Sequence, residues 1–192
     1  MQNAEIELKV PISDPAAFES RLREHGFHID TPRTFEHNTL YDTPARDLRS
    51  RIEILRIRRY GNLCTVTHKR TTTQQNPTES ARYKVRIETE TTVADGEALA
   101  TIFQHLGYIP AFTYEKYRTE YCQPGGGGIA TIDETPVGVY LELEGRPAWI
   151  DRTARTLGFA KTDYILDSYG KLYLRWAESR GIEPRNMVFQ KK

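Results

Sequence analysis

The sequence predicts an α+β domain built on a closed eight-stranded antiparallel β-barrel with surrounding and C-terminal helices. Three observations predict it. Eight segments alternate with the two-residue period of a strand, four others carry helical spacing, and full charges of both signs recur at alternate positions of strand after strand.

Residues 4 to 10 alternate charged and aliphatic side chains and run into Pro11, which suits a first strand. Asp14-Pro15 opens a helix through His25, with Phe18 and Leu22 on one face and Gly26 as its stop. Strand patterns follow at 35–42, 51–60 and 63–70, and Arg59-Tyr60-Gly61-Asn62 marks a tight hairpin between the last two. The stretch from Thr71 to Thr78 is polar, contains Pro77 and has no period, so a mobile loop is expected.

Residues 81–91 form another alternating strand. Asp95 to Leu106, closed by Gly107, reads as a helix with Leu99, Ile102 and Phe103 toward the core. Strands are expected at 112–122, 129–134 and 137–144, with Gly125 to Gly128 and Thr135-Pro136 as turns. The four glycines lack the Lys-Ser/Thr of a phosphate-binding loop and read as a flexible hairpin turn. Ala148 to Leu157 and Ser168 to Glu178 have helical spacing. The expected organisation is one domain over residues 1–180 and a flexible tail over 181–192.

At 192 residues the chain is the size of one domain, long enough to bury a core without staples. Its formal charge of +1, from 27 Lys+Arg against 26 Asp+Glu, offers no basic excess for nucleic acid. No apolar run approaches the roughly 20 residues that span a bilayer, and the N-terminus resembles no signal peptide, so no membrane partner is expected. Cys64 and Cys122 lack metal-site or redox spacing, which suits a reduced, cytoplasmic protein.

The charges are placed unusually. One face of the strands carries Glu5, Glu7 and Lys9; Arg56 and Arg58; Thr65, Thr67 and Lys69; Lys84, Arg86, Glu88 and Glu90; Lys116, Arg118 and Glu120; and Glu142 and Glu144. The other face carries Ile6 and Leu8, Leu55 and Ile57, Val85 and Ile87, Leu141 and Leu143. A solvated face would explain any one strand. Recurrence over several strands, in groups of both signs, argues instead for helices over the apolar face and charges inside a closed barrel. Such a lumen holds side chains or one small ligand. Opposed carboxylates and clustered Arg/Lys are satisfied together by a hard divalent cation, Mg²⁺ or Mn²⁺, and a polyanion such as a phosphate chain. His68 is out of phase with Thr67 and Lys69 and should point outward, and Tyr41 is open between packing and a hydroxyl donor.

These residues resemble the CYTH superfamily, the triphosphate tunnel metalloenzymes, which includes class IV adenylyl cyclases, thiamine triphosphatases and inorganic triphosphatases. Glu5-Ile6-Glu7-Leu8-Lys9 matches the N-terminal ExExK signature. The resemblance continues through Tyr41-Asp42-Thr43, Leu55-Arg56-Ile57-Arg58, Thr67-His68-Lys69, Arg86-Ile87-Glu88-Thr89-Glu90, Lys116-Tyr117-Arg118, Ile132-Asp133 and Val139-Tyr140-Leu141-Glu142-Leu143-Glu144-Gly145, over about residues 4 to 175.

The resemblance implies that Glu5, Glu7, Glu142 and Glu144 are metal ligands, with Asp133, Glu88 and Glu90 as further acidic lining, Asp133 either as a ligand or only as the organiser of a metal-bound water. It implies that Lys9, Arg56, Arg58, Lys69, Lys84, Arg86, Lys116 and Arg118 hold the phosphate chain. Glu5, Glu7, Lys9, Glu142 and Glu144 are then the catalytic set, the cofactor Mg²⁺ or Mn²⁺, and the partner a triphosphate-containing small molecule. Members often form homodimers, though no stripe here marks a partner face. The leading expectation is metal-dependent triphosphate hydrolysis. A class IV adenylyl cyclase making cyclic AMP and pyrophosphate from ATP is the alternative, and a non-catalytic polyphosphate- or nucleotide-binding module the third.

Overall fold

The computed structural model describes residues 3–71 and 83–190, so the loop expected at 71–78 falls, past Thr71, outside the described residues. The strands are β1 (Asn3–Ile12), β2 (His28–Asp42), β3 (Ile54–Tyr60), β4 (Leu63–Arg70), β5 (Lys84–Thr92), β6 (Ile109–Cys122), β7 (Gly128–Thr135) and β8 (Gly138–Gly145). They close into one antiparallel barrel in the order β1-β5-β4-β3-β2-β6-β7-β8. Among the described residues five α-helices surround it: α1 (Pro15–Glu24), α2 (Asp47–Ser50), α3 (Gly96–His105), α4 (Pro147–Thr156) and α5 (Tyr169–Glu178).

The barrel has its apolar face outside, as the alternation requires. Leu8, Val10, Ala130, Ile132, Leu141 and Leu143 are buried beneath Phe18 and Leu22 of α1 and Trp149, Ile150 and Ala154 of α4. At about 1.5–3 kcal/mol for each large side chain buried, this outer shell is the main source of stability. Asp14 caps α1 by accepting from the Ala17 N–H at 3.0 Å, and Asp95 caps α3 by accepting from Glu97 and Ala98.

Several expectations are corrected. β2 begins at His28 rather than 35, and carries register shifts around Thr31 that accommodate Pro32. Residues 51–53 are a turn, not strand, with Ile52 at φ +59° following the four-residue α2. In α3, Ile102 is 52% exposed instead of facing the core, while Phe103 packs edge-on against Tyr41. Tyr41 is therefore a packing residue.

The glycine turn is open at Gly125 and Gly126 but tight at its far end, where a Cβ on Gly128 would lie 2.4 Å from both the Trp149 ring and the Glu144 carbonyl oxygen. The tail also has a fixed seat. Met187 exchanges backbone hydrogen bonds with Thr113 and Glu115, bridges to Tyr114 and is fully buried with Tyr169 and Tyr173 in a second core. Phe189 packs at a tilt against Tyr117, ring centroids 5.3 Å apart. Both cysteines are free, and among the described residues no helix is long and apolar enough to cross a membrane.

Candidate functional site

Closure of the barrel turns the charged face into the wall of a cavity of about 1120 Å³. β1 supplies Glu5, Glu7 and Lys9, β3 Arg56 and Arg58, β4 Lys69, β5 Lys84, Glu88 and Glu90, β6 Lys116 and Arg118, and β8 Glu142 and Glu144. These positions, separated by up to 139 residues in sequence, share one strand parity, and the fold brings them to one lumen.

The lining neutralises itself by ion pairing. The Lys9 ammonium lies 2.7 Å from Glu142 and 3.1 Å from Glu7, and Lys84 also bonds Glu7. Lys69 joins Glu5 at 2.6 Å to Glu88 at 2.8 Å. Arg56 donates to Thr67 at 3.1 Å and to Glu90 at 3.4 Å. Burial opposes ionisation of Glu7, but Lys84 and Lys9 outweigh it and hold its carboxyl well below the usual range. Glu142 is likewise held at about 2, with Lys9 and Arg118 overcoming the cost of burial.

Glu144 differs. It faces Glu7 directly across the β1–β8 register, and among the described residues no cation pairs with it. Although Glu144 is exposed, partial desolvation in the cavity, then the charges of Glu5 and Glu7, push its carboxyl up to about 7. A carboxylate forced against two others without a counter-cation is the electrostatic signature of a cation site. Among the described residues no three such side chains converge on one point as they stand, since Glu5 and Glu7 are turned onto Lys69 and Lys84. The donor chemistry, oxygen throughout, nevertheless fits a hard divalent ion once those lysines turn to another anion.

Two expected residues lie elsewhere. Arg86 does not line the cavity: its guanidinium donates to the Ile52 carbonyl at 3.0 Å. Asp133 is fully buried behind the wall, where it accepts from Lys116 at 2.8 Å, twice from Arg118 at 2.6 and 2.7 Å, and from the Tyr169 hydroxyl at 2.6 Å. Four donors, three on Oδ2 and one on Oδ1, thus tie Asp133 to the cations of the wall.

Other contributors escaped the sequence reading. Glu36, 1% exposed, sits 3.4 Å from Arg58 and 3.6 Å from Lys116, and its carboxyl is held at about 2 because Lys116 and Arg118 outweigh burial. It shares the parity of Asn38 on β2, the one signal that could have found it. Leu40, Ile54, Phe112 and Tyr114 add an apolar and aromatic arc, and Arg146, Ser168, Tyr169 and Gly170 complete the wall. His68, as expected, is outside, 3.4 Å from Glu53.

A family model of the CYTH domain matches residues 3–169. A Methanocaldococcus jannaschii protein that carries the provisional name adenylate cyclase is 30% identical over 141 residues, 73% of this chain and 75% of that protein. A solved structure from Pyrococcus horikoshii OT3 superposes with a TM-score of 0.73 at 23% identity, covering 89% of this chain and 98% of that one. A Hippeastrum protein described as a provisional adenylyl cyclase with a dominant triphosphatase activity superposes at 0.59 with 19% identity, covering 96% and 98%. With the family match spanning all eight strands and the charged lumen they enclose, the chain belongs to the CYTH domain family.

Proposed function

We propose that this chain is a divalent-metal-dependent enzyme that hydrolyses the terminal phosphate of a triphosphate held in the lumen. The observation that carries the reading is the lining itself: eight cationic and six carboxylate side chains on one enclosed wall, with Glu144 left without a counter-cation. Lys9, Arg56, Arg58, Lys69, Lys84, Lys116 and Arg118 hold the phosphate oxygens, and the arginines supply paired donors to them. As the cations turn to phosphate they release Glu5, Glu7 and Glu142, which with Glu144 would hold Mg²⁺ or Mn²⁺. An ion there supplies Lewis-acid polarisation of phosphoryl oxygens. The fixed cations stabilise charge on the equatorial oxygens without reorganisation. Water is the nucleophile in this reading, and the lining glutamates act as ligands rather than nucleophiles.

The second reading is cyclisation of ATP to cyclic AMP and pyrophosphate. The arc of Leu40, Ile54, Phe112 and Tyr114 favours an organic group beside the phosphates, and the relative named for adenylate cyclase supports it. The two reactions differ in which phosphorus faces the nucleophile. Purified protein is incubated with Mg²⁺ or Mn²⁺ and, separately, tripolyphosphate, ATP and thiamine triphosphate, and the products are resolved. Orthophosphate is expected; cyclic AMP with pyrophosphate selects the second reading, and no turnover of any of the three overturns both.

A further inference from the structure

We propose that Tyr169 is a positioning residue for the phosphate-binding cations, holding Lys9, Lys116 and, through Asp133, Arg118 toward the lumen. The proposal rests on the reading of the lumen as a polyphosphate site. Tyr169 is the first residue of α5 and, among the described residues, the aromatic ring placed between Asp133 and two lysines of the lining. Its hydroxyl donates to Asp133 at 2.6 Å, while the Lys9 and Lys116 ammonium groups each lie 5.1 Å from its ring centroid. One side chain therefore touches the anchor of two cations by hydrogen bond and two cations by its π-face.

Asp133 explains why the hydroxyl matters. Its Oδ2 already takes Lys116, Arg118 and Tyr169 together. Deleting the phenol's donor leaves that oxygen short of one partner and concentrates its attraction on Lys116 and Arg118. Both are drawn away from any phosphate in the lumen. Burial, then the charges of Asp133 and Glu142, raise the phenol's pKa well above its usual value, so it stays a donor throughout the working range. A ring needed only for packing would behave differently. Tyr169 also sits among Tyr140, at 5.7 Å, and Tyr114, at 6.4 Å, and phenylalanine would satisfy those contacts.

The test is calorimetric titration of tripolyphosphate in EDTA, which reads binding without turnover or metal. Wild-type protein is expected to bind, and Tyr169→Phe to bind about 10-fold more weakly, the effect of one hydrogen bond to a charged group, with a lowered Tm but an unchanged circular dichroism spectrum at the temperature of the titration. Tyr169→Leu, which also loses the π-face, should bind more weakly still. In the Lys116→Met background the loss from Tyr169→Phe should shrink, because part of what the hydroxyl positions is gone. Equal binding by wild type and Tyr169→Phe, or losses that simply add in the double variant, would overturn the positioning role while leaving the polyphosphate reading intact. Wild-type protein that does not bind tripolyphosphate overturns that reading and this inference together.

Discussion

Replacing Lys9 with methionine tests whether the lysines mask a cation site. Lys9 is 2% exposed and stands between Glu7 and Glu142. Methionine keeps its length and removes the charge, leaving two buried carboxylates short of a partner. Breaking a buried ion pair costs about 3–5 kcal/mol. Lys84 still holds Glu7 and Arg118 still holds Glu142, so the lower end, about 3 kcal/mol, applies. For a domain of this size that lowers Tm by roughly 6–12 °C.

The sign with pH follows from the carboxyls. Both are held below their ordinary value in the folded protein, so their stabilisation is present above the unfolded pKa and is lost as pH falls through the folded one. The deficit of Lys9→Met is thus full near neutrality and shrinks toward acid, where the unpaired carboxyls take up protons. Mn²⁺ should stabilise the variant more than the wild type; a tenfold gain in affinity adds about 1.4 kcal/mol at saturating ion. The assay is thermal unfolding in EDTA and in a Mn²⁺ series. An unchanged Tm in EDTA, or a Mn²⁺ shift no larger than in wild type, refutes the reasoning.

Further expectations concern single positions. Glu144 has a folded pKa raised to about 7, so the metal-free protein loses stability as pH rises from the unfolded value through 7, while Mn²⁺ affinity rises over the same window; Glu144→Gln should flatten both, as read by unfolding and Mn²⁺ titration below and above pH 7. Gly128→Ala forces a Cβ to 2.4 Å from the Glu144 carbonyl, costs about 1–3 kcal/mol and should weaken Mn²⁺ binding by displacing Glu144, against unchanged binding if that backbone is irrelevant. Met187→Ala, at a fully buried position, should cost about 2–5 kcal/mol in denaturant unfolding, and no loss would contradict the seat of the tail. His68→Ala, outside the lumen, should leave turnover unchanged and stability within about 0.5 kcal/mol.

The fold was legible where charge and aliphatic side chains alternate without interruption. Glu5 to Lys9 and Glu142 to Glu144 declare both their strand and their inward face, because period-two placement puts every second side chain on one side. It was illegible where a local signal opposed a tertiary one. Pro32 and the register shifts beside it hide the first half of β2, whose pairing with β6 is supplied from more than 80 residues away. The tail has no period at all: Met187 finds its place only because β7 stops short of Thr113 to Glu115 and leaves that edge of β6 open.

The site divides the same way. Parity groups most of the lining, but it cannot say how far a side chain reaches. Arg86 has the right parity and turns to the Ile52 carbonyl, whereas Asp133 has it and lies behind the cations it organises. Tyr169 enters from a helix outside the barrel, so no strand pattern could place it in the wall.

The most direct test of the central claim is titration of tripolyphosphate into wild-type protein and Glu7→Gln, each with and without Mn²⁺. One site per chain is expected, tighter with Mn²⁺ in wild type, with loss of that metal-dependent gain in Glu7→Gln while metal-free binding persists through the cations. Absence of binding to wild type, or a Mn²⁺ gain undiminished in Glu7→Gln, would contradict that claim.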